Sequence, residues 1–319
     1  MTSAEIPPKA SAESRNASLQ GSVKLFLASI AALYFELLTI RYLSTEVRVF
    51  ANLKNLPLIA SFLGIGLGMI HGKPGKKLAA AFPFAGLLFF SVIRYAAYLR
   101  LPATDISWTY DLSQGPAGTA AQVLYALRFM ALVFGLCALV VAIFVVIGGL
   151  VGEPLRHLPS LKGYGINLAG SLTGVILFST LAFFNYGPPV WLFVGFLLLV
   201  PFFLRATPIA VFILTIACVA VPQANTLWSP YNRIDFVPLP PPVGSNDRGA
   251  YSVVTSHVWY QFLADLSPQF LQRYPNFEPN RSLVPYYELP YRLVPHPNNV
   301  LILVAGAGND VAAALRYGA

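Results

Sequence analysis

VLILVAGAGNDVAAALRYGA, residues 300–319, changes character twice along its length. Val300 to Val304 is an apolar, β-branched run of the kind that forms a buried parallel strand. It gives way to the small residues Ala305, Gly306, Ala307 and Gly308, then to the N-cap formers Asn309 and Asp310 and the helix-favouring VAAALRY. Strand, tight turn and helix in that order predict the first βα unit of a nucleotide-binding, Rossmann-like fold. Glycines let a backbone approach a ligand closely, and free N–H groups at a helix start favour an anionic or polar group. Gly306, Gly308, Asn309 and Asp310 are therefore the candidate cofactor-binding residues. A doubly wound sheet takes several such units, and its acidic ribose ligand lies about 20 residues past the glycine turn. That position falls beyond Ala319, so the expectation is an incomplete α/β domain: a truncated product, or one whose sheet a partner chain completes.

The rest of the chain has a different solvent in view. Of 319 residues 56% are hydrophobic and only 11% charged, against about 25% charged in ordinary soluble domains. With a mean hydropathy of +0.63, this is the composition of a membrane protein. The net charge of +8 is spread over helix ends and short loops, without the basic stripe, zinc-finger or RRM pattern of a nucleic-acid binder, so no nucleic-acid partner is expected. Cys137 and Cys218 lie inside apolar runs and suggest neither a disulfide nor a metal site. His71, His157, His257 and His296 are far apart with no second ligand at helical spacing, so no metal is expected either.

Crossing a hydrocarbon core of about 30 Å takes roughly 20 apolar residues in a helix. Residues 1–22, without a signal-peptide core, read as a disordered cytoplasmic tail, and 23–222 as a polytopic membrane domain of six to eight helices. The spans run from Val23 to Leu43, Leu53 to Ile70, Leu78 to Leu99, Ala121 to Val151 and Ile166 to Phe184. The stretch from Pro188 to Val221, broken by Pro201, Arg205 and Pro208, is two short crossings or a helical hairpin. Lys73, Lys76, Lys77, Arg156 and Lys162 in the loops, with Lys9, Arg15 and Lys24, place those loops in the cytoplasm by the positive-inside rule. An even number of crossings then keeps the soluble part cytoplasmic, in a bacterial-type inner membrane. Glu36, Arg41, Arg94 and Arg128 are intramembrane ionisable residues. They line a polar pocket or, on the alternative reading, the arginines snorkel to the interface and Glu36 pairs with one of them. Gly64, Gly66 and Gly68, and again Gly170, Ser171 and Gly174, permit close helix contact.

Residues 223–295 shift to Pro, Tyr, Asn and Ser. Strand-like runs at Arg233 to Val237 and Tyr251 to Leu263, either side of the loop Pro238 to Gly249, predict a small β-hairpin module. His257 reads as an ordinary strand residue. Residues 296–319 begin the Rossmann-like unit.

Taken in order, FELLTIR (35–41), SFLGIGLG (61–68), YGINLAGSLTG (164–174), WSPYN (228–232), YQFLADLS (260–267), YYELPY (286–291) and VLILVAGAGND (300–310) resemble the polyamine aminopropyltransferases, or spermidine synthases, and especially their bacterial membrane-embedded relatives. The resemblance implies a hairpin and a Rossmann-like domain that clasp decarboxylated S-adenosylmethionine and a small amine. The amine nitrogen attacks the carbon next to the sulfonium, which needs positioning, carboxylates to hold and deprotonate the amine, and exclusion of water. It assigns Tyr231, Tyr260, Gln261, Tyr286 and Glu288 to the substrate, and Gly306 and Gly308 to the cofactor turn. The tyrosines could equally pack the hairpin, and Arg292 at helical spacing could partner Glu288. The chain departs from the family at Asn232 in place of Gln, at Arg292 in place of His, and at Val304 in the first glycine position of the turn. The catalytic carboxylate of the family falls past Ala319. The chain is thus expected to fold a stable membrane domain, in contact with lipid and with a homo-oligomeric or partner chain, and to show no aminopropyl transfer alone. The edge Val300 to Leu303 is expected to be aggregation-prone. A methyltransferase using S-adenosylmethionine, and a non-catalytic transporter-like or scaffold protein with a vestigial soluble domain, are the alternatives.

Overall fold

The computed structural model describes residues 12–95, 119–221, 225–295 and 297–319. The chain divides into two units, Met1–Pro222 and Gln223–Ala319. The first is all helix where described: α1 (Ala12–Glu46), α2 (Arg48–Asn52), α3 (Asn55–His71), α4 (Lys76–Arg94), α5 (Thr119–His157), α6 (Ser160–Phe183), α7 (Pro188–Leu199) and α8 (Ala206–Val219), with a 3₁₀ turn at Val200–Phe202. Among the described residues, four helices are long and apolar enough to cross a membrane, namely α1, α4, α5 and α6. The interruption between Pro188 and Val221 resolves into α7 and α8, of 12 and 14 residues, each too short at about 1.5 Å per residue to cross a hydrocarbon core unaided. Of the third predicted span, residues 96–99 lie outside the described residues.

The predicted disordered tail is corrected in part. Helix α1 starts at Ala12, because AESRNASLQ is rich in helix formers and is continuous with an apolar helix that already meets the cost of nucleation. Residues 1–11 lie outside the described residues. The core of the unit is one face of α1, where Leu25, Tyr34, Leu38 and Leu43 are fully buried. Tyr34 donates from its hydroxyl to the Trp191 carbonyl of α7 at 2.8 Å, and Ser29 donates to Asn167 Oδ1 of α6 at 2.8 Å.

In hydrocarbon there is no hydrophobic force between helices, so small residues that allow backbone contact carry the packing. A Cβ on Gly64 of α3 would lie 2.7 Å from the Val141 carbonyl oxygen of α5, and one on Gly68 would strike the Val145 carbonyl. Gly148 and Gly152 of α5 return the contact against Ile65 and Met69. Gly170 and Gly174 of α6 play the same part against Phe26 and Ile30 of α1. Gly66, in the same expected run, faces open space.

The second unit holds a four-stranded antiparallel sheet in the order β1-β2-β3-β4: Thr226–Trp228, Arg233–Pro238, Ala250–Thr255 and Val258–Ala264. The run Tyr251 to Leu263, read as one strand, is two, because Ser256 and His257 take left-handed φ values of 48° and 64° and turn the chain back. His257 is therefore a turn residue, with Nε2 3.2 Å from Arg233 Nη1. Helices α9 (Pro268–Arg273), α10 (Glu278–Leu293) and α11 (Asn309–Arg316) follow. Three prolines hide α10 from a pattern reading, yet Pro279 sits in its first turn, where no N–H is needed, and Pro285 and Pro290 lie inside it. Helix α11 forms as expected, whereas Val300 to Val304 carries no strand pairing. A β-branched run becomes a strand only where a neighbour supplies its hydrogen bonds, and the sheet order ends at β4.

The seam between α3 and α5 generates a paired test. Gly68→Ala is expected to destabilise the bundle by about 1–3 kcal/mol through overpacking, while Gly66→Ala is neutral or stabilising by up to about 1 kcal/mol from helix propensity. Thermal unfolding in detergent reads both, and equal midpoints for the two variants would refute the seam.

Candidate functional site

The glycine turn is built as its residue types require. Gly306 and Gly308 adopt φ of 55° and 85°, and Gly308 is the N-cap of α11. A Cβ on Gly306 would lie 2.7 Å from Gln261 Oε1, the end of a flexible side chain that can give way, so the left-handed φ rather than the space favours glycine here. Val304 also adopts a left-handed φ, 57°.

Asn309 is the joint between the turn and the sheet. It is 3% exposed. Its Nδ2 donates to the Phe262 carbonyl at 2.7 Å and to Tyr287 Oη at 3.3 Å, while its Oδ1 accepts from the Ala264 N–H at 3.3 Å. Its side chain is thus engaged by β4 and α10, whereas Asp310 is exposed on the first turn of α11. A cavity of about 460 Å³ opens beside them, lined by Ala307, Gly308, Ala312, Asp265 and Arg316.

Glu288 lies on α10 and is only 17% exposed. It accepts from Arg316 Nη2 at 2.9 Å, and Arg292 Nη2 lies 3.7 Å away. Arg316 also donates to the Leu266 carbonyl at 2.8 Å. The carboxylate thus fixes the end of α11 to α10. Arg292 was readable from its four-residue spacing, whereas Arg316 gave no signal in the sequence.

The three tyrosines are exposed. Tyr231, Tyr260 and Tyr286 are 85%, 56% and 72% exposed. Tyr260 is the extra residue of a β-bulge, since Gln261 pairs with Val253 but Trp259 with Val254. Such a bulge turns a side chain away from the regular alternation. Tyr286 packs edge-on against Tyr287, with ring centroids 5.2 Å apart. Two neighbouring clusters went unread in the sequence. Arg233 and Asp235 pair at 3.0 Å while mostly buried, and Thr226 also donates to Asp235. Tyr274 Oη lies 2.7 Å from both Ser245 Oγ and Asp247 Oδ2, tying down the loop before β3.

The ionisable residues of the apolar helices have different surroundings. Arg41 stacks over the Trp191 ring at 4.7 Å. Arg94 donates to the Val221 carbonyl just past α8 at 2.9 Å, and Arg128 is exposed. Glu36 is 3% exposed, and among the described residues nothing hydrogen-bonds its Oε2. No group of histidine, cysteine or carboxylate side chains that could hold a metal occurs among the described residues; His296 lies outside them.

No protein-family model matches the chain, and no curated protein or solved structure matches it.

Two expectations follow from this geometry. A β-branched residue held at positive φ is strained by about 1–2 kcal/mol, and Val304 is 88% exposed with little packing to lose. Val304→Gly should therefore stabilise the second unit by about 1 kcal/mol in chemical denaturation; a loss of stability would contradict the left-handed turn. The hydrogen bond from Tyr274, aided by Arg273 and Ser245, holds the Asp247 carboxyl below its ordinary value of 3.8. A depressed folded-state value contributes stability above the unfolded one and loses it as pH falls through the folded one. The anchoring of the 238–249 loop should thus persist to below about pH 4, and Tyr274→Phe should move the Asp247 titration upward. An unchanged titration by NMR would remove Tyr274 as the cause.

Proposed function

We propose that this chain is the membrane-anchored, adenosyl-binding part of a transferase of the spermidine synthase type, which moves an aminopropyl group from decarboxylated S-adenosylmethionine to a small amine, and that it binds the adenosyl compound without turning it over alone. The observation that carries the reading is the turn of residues 304–308, which holds three left-handed residues, fits against Gln261 at Gly306 and runs directly into α11. The order of elements supports it: a helical bundle, a small antiparallel sheet, then the glycine turn and helix. On this reading residues 300–319 belong to a Rossmann-like domain, and the soluble part is cytoplasmic beside a bacterial-type inner membrane.

In the reaction the amine lone pair forms a bond to the carbon beside the sulfonium as the carbon–sulfur bond breaks. The sulfur leaves as a neutral thioether and the amine loses a proton. The turn supplies backbone N–H groups and close approach for the adenosyl part, with Asp310 at the helix start. The exposed rings of Tyr231, Tyr260 and Tyr286 are the surfaces available to the apolar carbons of the amine. Glu288 acts as a positioning residue, through Arg316, for the helix behind the turn.

A second reading, a bundle that moves a solute, rests on Glu36, an acidic residue buried in a membrane-type helix. Binding separates the two. Saturating decarboxylated S-adenosylmethionine, at about 100 times its dissociation constant, should stabilise the purified chain by about 2–3 kcal/mol, and Gly306→Val should abolish the effect. Stabilisation by S-adenosylmethionine alone would turn the assignment to methyl transfer, and no response to either compound would overturn the transferase reading in favour of the second.

A further inference from the structure

Helices α4 and α8 run side by side in the same direction. Phe82 stacks on Phe203 at 5.1 Å near their starts, and Arg94 and Tyr95 reach the Val221 and Cys218 carbonyls at their ends. Their two N-termini therefore lie together. Between them opens a cavity of about 680 Å³, with Lys73, Lys76 and Arg205 in its wall and, among the described residues, no carboxylate. The remaining wall is largely apolar, including Phe84, Phe202, Phe203 and Leu204. Among the described residues the side chains of Lys76 and Arg205 have no hydrogen bond or ion pair, while Lys73 lies 3.8 Å from Glu153. An adjoining cavity of about 710 Å³ shares Lys73, Phe202 and Phe203 and adds Lys24, His157 and Glu153.

Three cations around one cavity repel one another. The N-terminal ends of two parallel helices add partial positive charge on the same side, and neither N-cap has a side-chain acceptor. A group that carries negative charge and several acceptor oxygens satisfies all of these at once. The apolar wall selects further: Phe84 and Leu204 are 52% and 74% exposed beside the cationic mouth, which suits a ligand whose charged head is joined to a hydrocarbon body. We propose that this cavity binds the phosphate of an anionic phospholipid, with the headgroup between Lys73, Lys76 and Arg205 and an acyl chain along Phe84 and Leu204. Basic pockets between membrane helices take such headgroups by the same electrostatics.

The test uses the full chain, delipidated in detergent and titrated in native mass spectrometry with dioleoylphosphatidylglycerol, dioleoylphosphatidylcholine or inorganic phosphate. The expected result is phosphatidylglycerol binding at least about tenfold tighter than phosphatidylcholine. The double variant Lys76→Ala/Arg205→Ala should bring that ratio close to one. Lys77→Ala, a cation next in sequence but outside the cavity wall, should leave it unchanged, and the charge-keeping pair Lys76→Arg/Arg205→Lys should retain it, which separates loss of the site from loss of folding. Equal affinity for the two lipids, or an equal loss with Lys77→Ala, would overturn the proposal. Displacement of the lipid by inorganic phosphate at about 10 mM would overturn the lipid assignment and make free phosphate the occupant.

Discussion

The contact on which the membrane unit depends is the backbone approach of α3 to α5. Helix α3, at 17 residues, spans about 25 Å and cannot rely on a hydrophobic force within lipid. Its stability comes from dispersion between surfaces that touch, and Gly64, Gly68, Gly148 and Gly152 bring those surfaces to main-chain distance. The seam also fixes what happens at its end. Helix α3 stops at Gly72, with φ of 73°, and Arg156 of α5 donates to the Met69 carbonyl at 3.0 Å and to that of Ile70. A guanidinium thus caps the carbonyls that the last turn leaves free. Lys73 is carried toward Glu153 by the same turn.

Helices α1, α4, α5 and α6 were legible because hydropathy over about 20 residues is a strong signal that few alternatives satisfy, whereas the expected span from Leu53 to Ile70 forms the shorter α3, of 17 residues. The failures share a cause, a local pattern overridden by a partner distant in sequence. Val300 to Val304 has strand composition, but composition does not supply a neighbouring strand. Ser256 and His257 carry no glycine to mark their tight turn, so β3 and β4 read as one run. Helix α10 was not read in the sequence beyond the helical spacing of Glu288 and Arg292, because it holds three prolines, one of them in its first turn. Glycines at 64 and 68 were visible as small residues. Which helix they met, and that Gly66 between them meets none, depended on the rotation of α3 against α5.

For the candidate site, residue types were legible and their obligations were not. Asn309 suits a helix start or a ligand equally well by type, and three hydrogen bonds to β4 and α10 decide for the fold. Glu288 needed a cation, and the sequence offered Arg292 four residues on. The shorter contact goes to Arg316, on another helix. Asn309 joins the start of α11 to β4 and α10, and Glu288 joins α10 to the end of α11, so the placing of the turn rests on polar contacts as well as on its glycines. Glycine makes the left-handed backbone cheap, and Asn309 and Glu288 make it unique.

Charge placement in the bundle follows two different rules. Arg94 and Arg156 sit at helix carbonyl ends, where a cation opposes the negative end of the dipole and stabilises the fold locally. Lys76 and Arg205 sit at helix N-termini, where the same dipole disfavours a cation by about 0.3–1 kcal/mol. The fold alone gives no reason for that arrangement. The anionic lipid proposed for this cavity would, since a negatively charged membrane surface attracts each nearby Lys or Arg by about 1 kcal/mol, enough to offset the dipole cost. Both N-termini are held together by the Phe82–Phe203 stack and cannot move apart to relieve their repulsion. Of the three cations at this end Lys73 lies 3.8 Å from Glu153, and Lys76 and Arg205 are the two that the proposed headgroup would balance.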